Sequence, residues 1–165
     1  MRFEISHTFD AAPPAIAEAM LDPEFQDTLS DIGDLHDRHV LDRTQAADGS
    51  IVRNVRCILS LHISGMAKSM LGDSDPAWVQ EERWDASLTH CDWIIHPEVA
   101  AELLSASGTI DISGTEGGTK RLVTGEVKVR VPLYGGKVEG WIVDGVTRAY
   151  DEEAERIAAW LEREK

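Results

Sequence analysis

The chain has 165 residues, 42% of them hydrophobic and 28% charged, a balance that predicts one globular domain (1–165) with length enough for a real core. A formal net charge of −14 argues against nucleic acid and against anionic membrane surfaces as partners, because both require clustered Lys and Arg. Met1 to Asp10 holds no signal-like apolar run and no stretch reaches the length of a membrane span, so no membrane insertion is expected and the expected compartment is the cytoplasm.

Taken in order, Arg2 to Phe9 alternates Phe3, Ile5, His7 and Phe9 against polar residues, the period-two pattern of a strand with one buried face. Asp10 is the expected cap of a following helix whose first turn takes Pro13 and Pro14 and which runs through Leu21. Asp22-Pro23 interrupts it, and Pro23 opens a second short helix through Phe25 and Leu29. From Leu35 the texture becomes strand and turn. Strands are expected at Asp34 to Thr44 and Ile51 to Leu61, with Asp48-Gly49 as the hairpin turn between them. His62 to Asp75, with Met66 and Met70 one helical turn apart, reads as a short helix or ordered loop. Strands follow at Trp78 to Asp85, Cys91 to His96 and Glu102 to Ser113, and Gly114 to Gly118 turns the chain into the last strand. Cys57 and Cys91 lie in apolar, strand-like surroundings and are read as buried reduced thiols rather than a disulfide.

The C-terminal stretch organises the rest. Val123, Gly125, Val127, Val129 and Val131 alternate with Thr124, Glu126, Lys128 and Arg130, and Pro132, which cannot donate to a ladder, ends the strand. After the Gly135-Gly136 corner the period changes to 3.6. Val138, Ile142, Val146, Ala149, Tyr150, Ile157, Trp160 and Leu161 form one stripe of a long helix, with Asp144, Asp151, Glu155 and Glu162 opposite. That apolar stripe needs a sheet to lie on.

This order resembles the helix-grip fold of the START-like (SRPBCC) superfamily, which includes pollen-allergen-like proteins, polyketide cyclases and lipid-transfer domains. The resemblance spans the chain and is sharpest at VKVRVPLYGGKVEGWIVDGVTRAYDEEAERIAAWL, with FEISHTFDAAPPAIAEAMLDPEF similar to the superfamily's first strand and helix pair. Within it the chain is most similar to an uncharacterised bacterial branch. The resemblance implies an α+β fold in which a curved seven-stranded antiparallel sheet wraps the last helix and encloses a cavity for an apolar small molecule.

Several residues then become candidates for that cavity. Glu139 falls inside the apolar stripe beside Ile142 and Val146, where a carboxylate anchors a polar ligand group or acts as acid or base. The competing reading makes it a first-turn carboxylate favoured by the helix dipole, or a partner of Arg130 or Lys137. The strand WVQEERWD puts Trp78, Gln80, Glu82 and Trp84 on one face, inward if the indoles are buried, which makes a mixed apolar and polar lining; the competing reading has one tryptophan in the core and the acids on a solvated edge. Met66 and Met70 suit either a pliable lid or an ordinary core cap. Trp93 is core or pocket wall. His36 and His39 in DLHDRH sit three apart, which on a strand points them to opposite faces, so no metal is expected. No nucleophile triad, phosphate-binding loop or dinucleotide fingerprint is present, and no cofactor is expected.

The expected function is binding or carriage of a hydrophobic small molecule, a lipid, isoprenoid or polyketide-like compound, between sheet and C-terminal helix. One alternative is a cyclase or dehydratase-type enzyme with Glu82 and Glu139 as its acid–base pair. Another is a protein-partner module of the co-chaperone kind, which requires a filled interior and an exposed apolar patch.

Overall fold

The computed structural model describes residues 1–61 and 75–164, together with residues 65, 69, 72 and 74 between them. The expected helix or loop carrying Met66 and Met70 lies outside the described residues. Strand β1 (Arg2–Phe9) leads to helices α1 (Pro13–Leu21) and α2 (Pro23–Asp27). Strands β2 (Leu35–Gln45), β3 (Ile51–Leu59), β4 (Ala77–Trp84), β5 (His90–Pro97), β6 (Leu104–Thr115) and β7 (Gly118–Val129) follow. Helix α3 (Gly135–Arg163) completes the order. The strands form one antiparallel sheet in the order β1-β7-β6-β5-β4-β3-β2, so β1 pairs with β7 across nearly the whole chain. The α+β helix-grip architecture expected from the sequence is the one observed.

Local chemistry explains the boundaries. The α1 cap is Ala12 with no side-chain bond, not Asp10, which stands two residues too early to reach the first free amides. Asp22 caps α2 instead, its carboxylate accepting from the amides of Glu24 at 2.8 Å and Phe25 at 3.2 Å. Strand β7 ends at Val129, earlier than Pro132. Arg130 N already donates to Leu103 O, and Val131 O accepts from Gly135 N at the start of α3. The Thr115–Gly118 pair closes the β6–β7 hairpin around a two-residue turn.

Alternation sorts the sheet faces as the sequence implies: Ile51, Arg53, Val55, Cys57 and Leu59 of β3 are all buried, with their neighbours half-buried. Across the strands, register aligns one continuous row: Phe3, Gly125, Gly108, Trp93, Glu82, Arg53 and Arg43. Cross-strand partners share a face, so this row is the floor on which α3 lies. It changes along its length from aromatic to charged. The Phe3 and Trp93 rings, 6.2 Å apart, close over the two glycines, and a Cβ at Gly125 would stand 2.5 Å from the Trp93 ring. Val138, Ile142, Ala149, Ala154 and Ile157 of α3 bury against that floor and against Ile16, Met20 and Leu21 of α1.

Candidate functional site

Two adjoining cavities lie between the sheet and α3. The first, about 50 Å³, is lined at its polar end by Arg38, Arg53, Gln80, Glu82, Tyr150 and Glu153. The second, about 30 Å³, is almost wholly apolar, with Phe3, Trp93, Ile95, Leu104, Val127 and Ile142 in its wall. Trp78, Gln80, Val146 and Tyr150 line both and form the partition between them. At this size the space suits a handful of water molecules. An organic ligand therefore requires the partition to move.

The polar end is built from buried charge. Glu82 and Arg53 are cross-strand partners with only 3% of each side chain exposed. Glu82 Oε1 accepts from Arg53 Nη2 at 2.7 Å, from Arg53 Nε at 3.1 Å and from Trp84 Nε1 at 3.1 Å, and its Oε2 accepts from Gln80 Nε2 at 3.1 Å. Four donors around two oxygens is the environment of an ionised carboxylate. Arg53 Nη1 donates to Met20 O at 2.9 Å and Arg43 Nη1 to Leu21 O at 2.7 Å, so the arginines of the row satisfy the last carbonyls of α1.

A second buried pair links α3 to β7. Arg121, wholly buried, donates to Glu153, to Tyr150 O at 3.2 Å and to His7 Nδ1 at 3.1 Å. Because His7 Nδ1 accepts there, its Nε2 carries the proton and donates to Asp151 at 2.8 Å. Arg38 approaches Glu153 at 4.0 Å and donates to Gln26 at 2.7 Å. Burial pushes the Glu153 carboxyl upward, but Arg121 and Arg38 outweigh it and hold the group below its ordinary value. Burial, reinforced by Glu153 and Glu82, raises the Tyr150 phenol well above its ordinary value, against a hydrogen bond from Gln80.

The structure brings some of the candidate residues together and separates others. Trp78, Gln80 and Val146 line both cavities, Glu82 the polar one, and Trp93 and Ile142 the apolar one. Trp84 is buried in the core with its indole N–H committed to Glu82, outside the cavity walls. Glu139 also stands outside them. Its Oε2 accepts from Val129 N at 2.8 Å and its Oε1 lies 3.2 Å from the Met1 amino group, so it ties the start of α3 to the sheet. The expected partners Arg130 and Lys137 are not the ones it takes. Glu82 and Glu139 thus share no cavity. His36 Nδ1 pairs with Ser60 Oγ and His39 Nδ1 with Asp37 O; among the described residues no cluster has the makings of a metal site. Cys57 and Cys91 are free and buried.

Sequence reasoning missed Arg38, Arg53, Arg121, Tyr150 in its polar role, and Glu153. The signal was present at three of them. Arg53 interrupts the apolar face of IVRNVRCIL, Arg121 falls on the face of Val123, and Glu153 falls on the α3 stripe between Ala149 and Ile157. A charge at an inward position of an apolar period marks a buried ion pair.

A seven-stranded antiparallel sheet gripping a long C-terminal helix, with a short helix pair after the first strand, is the helix-grip fold. The chain belongs to the family described as "Protein of unknown function (DUF2505)", whose model matches residues 4–161. Among solved structures it is similar to TTHA0849 from Thermus thermophilus, at 18% identity, TM-score 0.71 and coverage of 96% of this chain and 98% of that one. It is similar to the Zhui aromatase/cyclase from Streptomyces sp. R1128, at 12% identity, TM-score 0.69 and coverage of 99% and 94%. A START superfamily protein from Mycobacterium smegmatis matches at 12% identity and TM-score 0.61 over 99% of both chains. At these identities the likeness is one of fold. No curated protein matches. Among the described residues no helix is long and apolar enough to cross a membrane.

Proposed function

We propose that this protein binds a small hydrophobic molecule, of lipid, isoprenoid or polyketide-like character, between the concave face of the sheet and α3. The observation that carries the reading is the apolar cavity walled by Phe3, Trp93, Ile142 and Val146, adjoining a polar one across the partition of Trp78, Gln80, Val146 and Tyr150. Apolar walls drive binding by removing ligand surface from water, and a few convergent polar groups fix orientation. Gln80 and Tyr150, which stand on the partition, are the groups placed to do so. Met66 and Met70 remain part of the proposal as adaptable apolar contacts.

The fold likeness to an aromatase/cyclase keeps an enzymatic reading in view. The nominated pair does not favour it, because Glu82 accepts four hydrogen bonds and Glu139 stands outside both cavities, bound to Val129 N and the Met1 amino group. A partner module meets its first requirement, since the interior holds only two small cavities, and is less favoured on the second alone. The large exposed hydrophobics among the described residues, Met1, Leu41, Ile94 and Leu133, come from four separate stretches of chain. The test is native mass spectrometry after exposure to a mixed lipid and aromatic-metabolite extract, with the melting temperature measured alongside. A retained small molecule and a raised melting temperature support the container. No adduct and no shift refute it.

A further inference from the structure

The polar end of the interior is unbalanced in one direction. Among the described residues the buried charges are three guanidiniums, Arg38 and Arg53 on the cavity wall and Arg121 outside it, against two carboxylates, Glu82 and Glu153. His7 bridges Arg121 to Asp151, which is more than half exposed. One buried positive charge is therefore uncompensated inside. The same asymmetry holds for hydrogen bonding. Among the described residues, the two buried side-chain polar atoms without a partner are Trp93 Nε1 and Arg121 Nε, and both are donors. The interior offers donors and lacks acceptors.

The surplus falls on Arg38. Arg53 is committed to Glu82 and the end of α1, and Arg121 to Glu153, His7 and Tyr150 O. Arg38 has a neutral amide, Gln26, and a carboxylate at the long distance of 4.0 Å. It also occupies a distinctive place. Arg38 and Arg53 line the polar cavity on one side and, on the other, an outer groove of about 350 Å³ between α2 and β2. Among the described residues that groove carries Arg43 and His39 as well and one acid, Asp27, on a chain whose net charge is −14. A cationic groove on an acidic protein concentrates anions.

Resting on the container reading above, we propose that the ligand is a hydrophobic monocarboxylate whose acid group enters by the α2–β2 groove and pairs with Arg38, its apolar body lying along Trp78 and Val146 toward Trp93. One surplus cation matches one carboxylate, whereas a phosphate monoester carries nearly two charges. A guanidinium presents the planar fork that a carboxylate accepts. Trp93 Nε1 then serves any oxygen on the ligand's body.

The test compares decanoate, 1-decanol and decyltrimethylammonium on the wild-type protein and on Arg38→Met, by tryptophan fluorescence titration and melting-temperature shift. The expected result is that decanoate binds about tenfold tighter than decanol, that the ammonium does not bind, and that R38M abolishes the preference while keeping decanol binding. Equal affinity for decanoate and decanol, or an acid preference unchanged in R38M, overturns the anion proposal and leaves the container standing. Failure of all three ligands to bind overturns both. Should R38M not fold, the wild-type comparison of acid against alcohol decides alone.

Discussion

Replacing Glu82 with glutamine probes the element on which the interior is built. The substitution keeps the shape and removes the charge that faces Arg53 at 2.7 Å, and it turns an acceptor facing the Gln80 amide into a donor. With both side chains 3% exposed, water cannot replace what is lost, and Arg53 keeps a neutral amide oxygen and the Met20 carbonyl but no counter-charge. Removing one partner of a buried pair costs about 3–5 kcal/mol, because the other charge stays buried without compensation. For a chain of this length each kcal/mol lowers the melting temperature by about 2–4 °C, so E82Q should melt roughly 6–20 °C below wild type. Urea denaturation followed by circular dichroism gives the free energy directly. The double variant Arg53→Met/Glu82→Leu removes both charges and should recover most of the loss, since the pair's net contribution is small even though losing either half is costly. Glu139→Gln, on a side chain bound at the cavity's exterior, is the comparison and should cost less than E82Q. An E82Q loss below about 1 kcal/mol, or a double variant no better than E82Q, would refute the reading of the row as a buried, mutually dependent pair.

Glu153, held below its ordinary value of 4.5, contributes stability that is present above that value and is lost as pH falls through its lower folded value. Acid titration of unfolding free energy should therefore show a steeper decline below 4.5 in wild type than in Glu153→Gln, and parallel curves would contradict it. Burial pushes the Cys57 thiol up to about 12 and raises Cys91 as well. Neither should react with a chromogenic disulfide reagent near neutral pH until denaturant is added, and stability should fall as pH rises from 9.0 toward 12. Gly125→Val places a side chain against the Phe3 and Trp93 rings, whose nearest atoms lie 2.7 and 2.5 Å from its Cβ position. It should cost about 1–3 kcal/mol and shift the tryptophan emission, and an unchanged spectrum would count against the ring-over-glycine arrangement.

The strands and the long helix were legible because their signals are local. Alternation through Val123, Gly125, Val127 and Val129, and the stripe from Val138 to Ile157, follow from backbone periods of 2.0 and 3.6. Asp22-Pro23 was likewise readable as a break, while the capping role of Asp22 emerged from the structure. The inward face of WVQEERWD was readable from its indoles, and so Trp78, Gln80 and Glu82 reached the interior as the pattern implies. What the pattern lacks is partners. Glu82 meets Arg53 across 29 positions because β3 and β4 pair in that register, and Arg121 meets Glu153 across 32 positions only once α3 lies on β7. Glu139 shows the same dependence in reverse. Its place in the stripe suggested the cavity, while the Val129 amide that claims it is left free by a strand end ten residues earlier. Which elements form, and which residues face inward, was therefore legible from the residues alone, because those depend on neighbours in the chain. Which inward charges neutralise one another, and which one is left over, was decided only when register and helix docking brought distant residues within hydrogen-bonding distance.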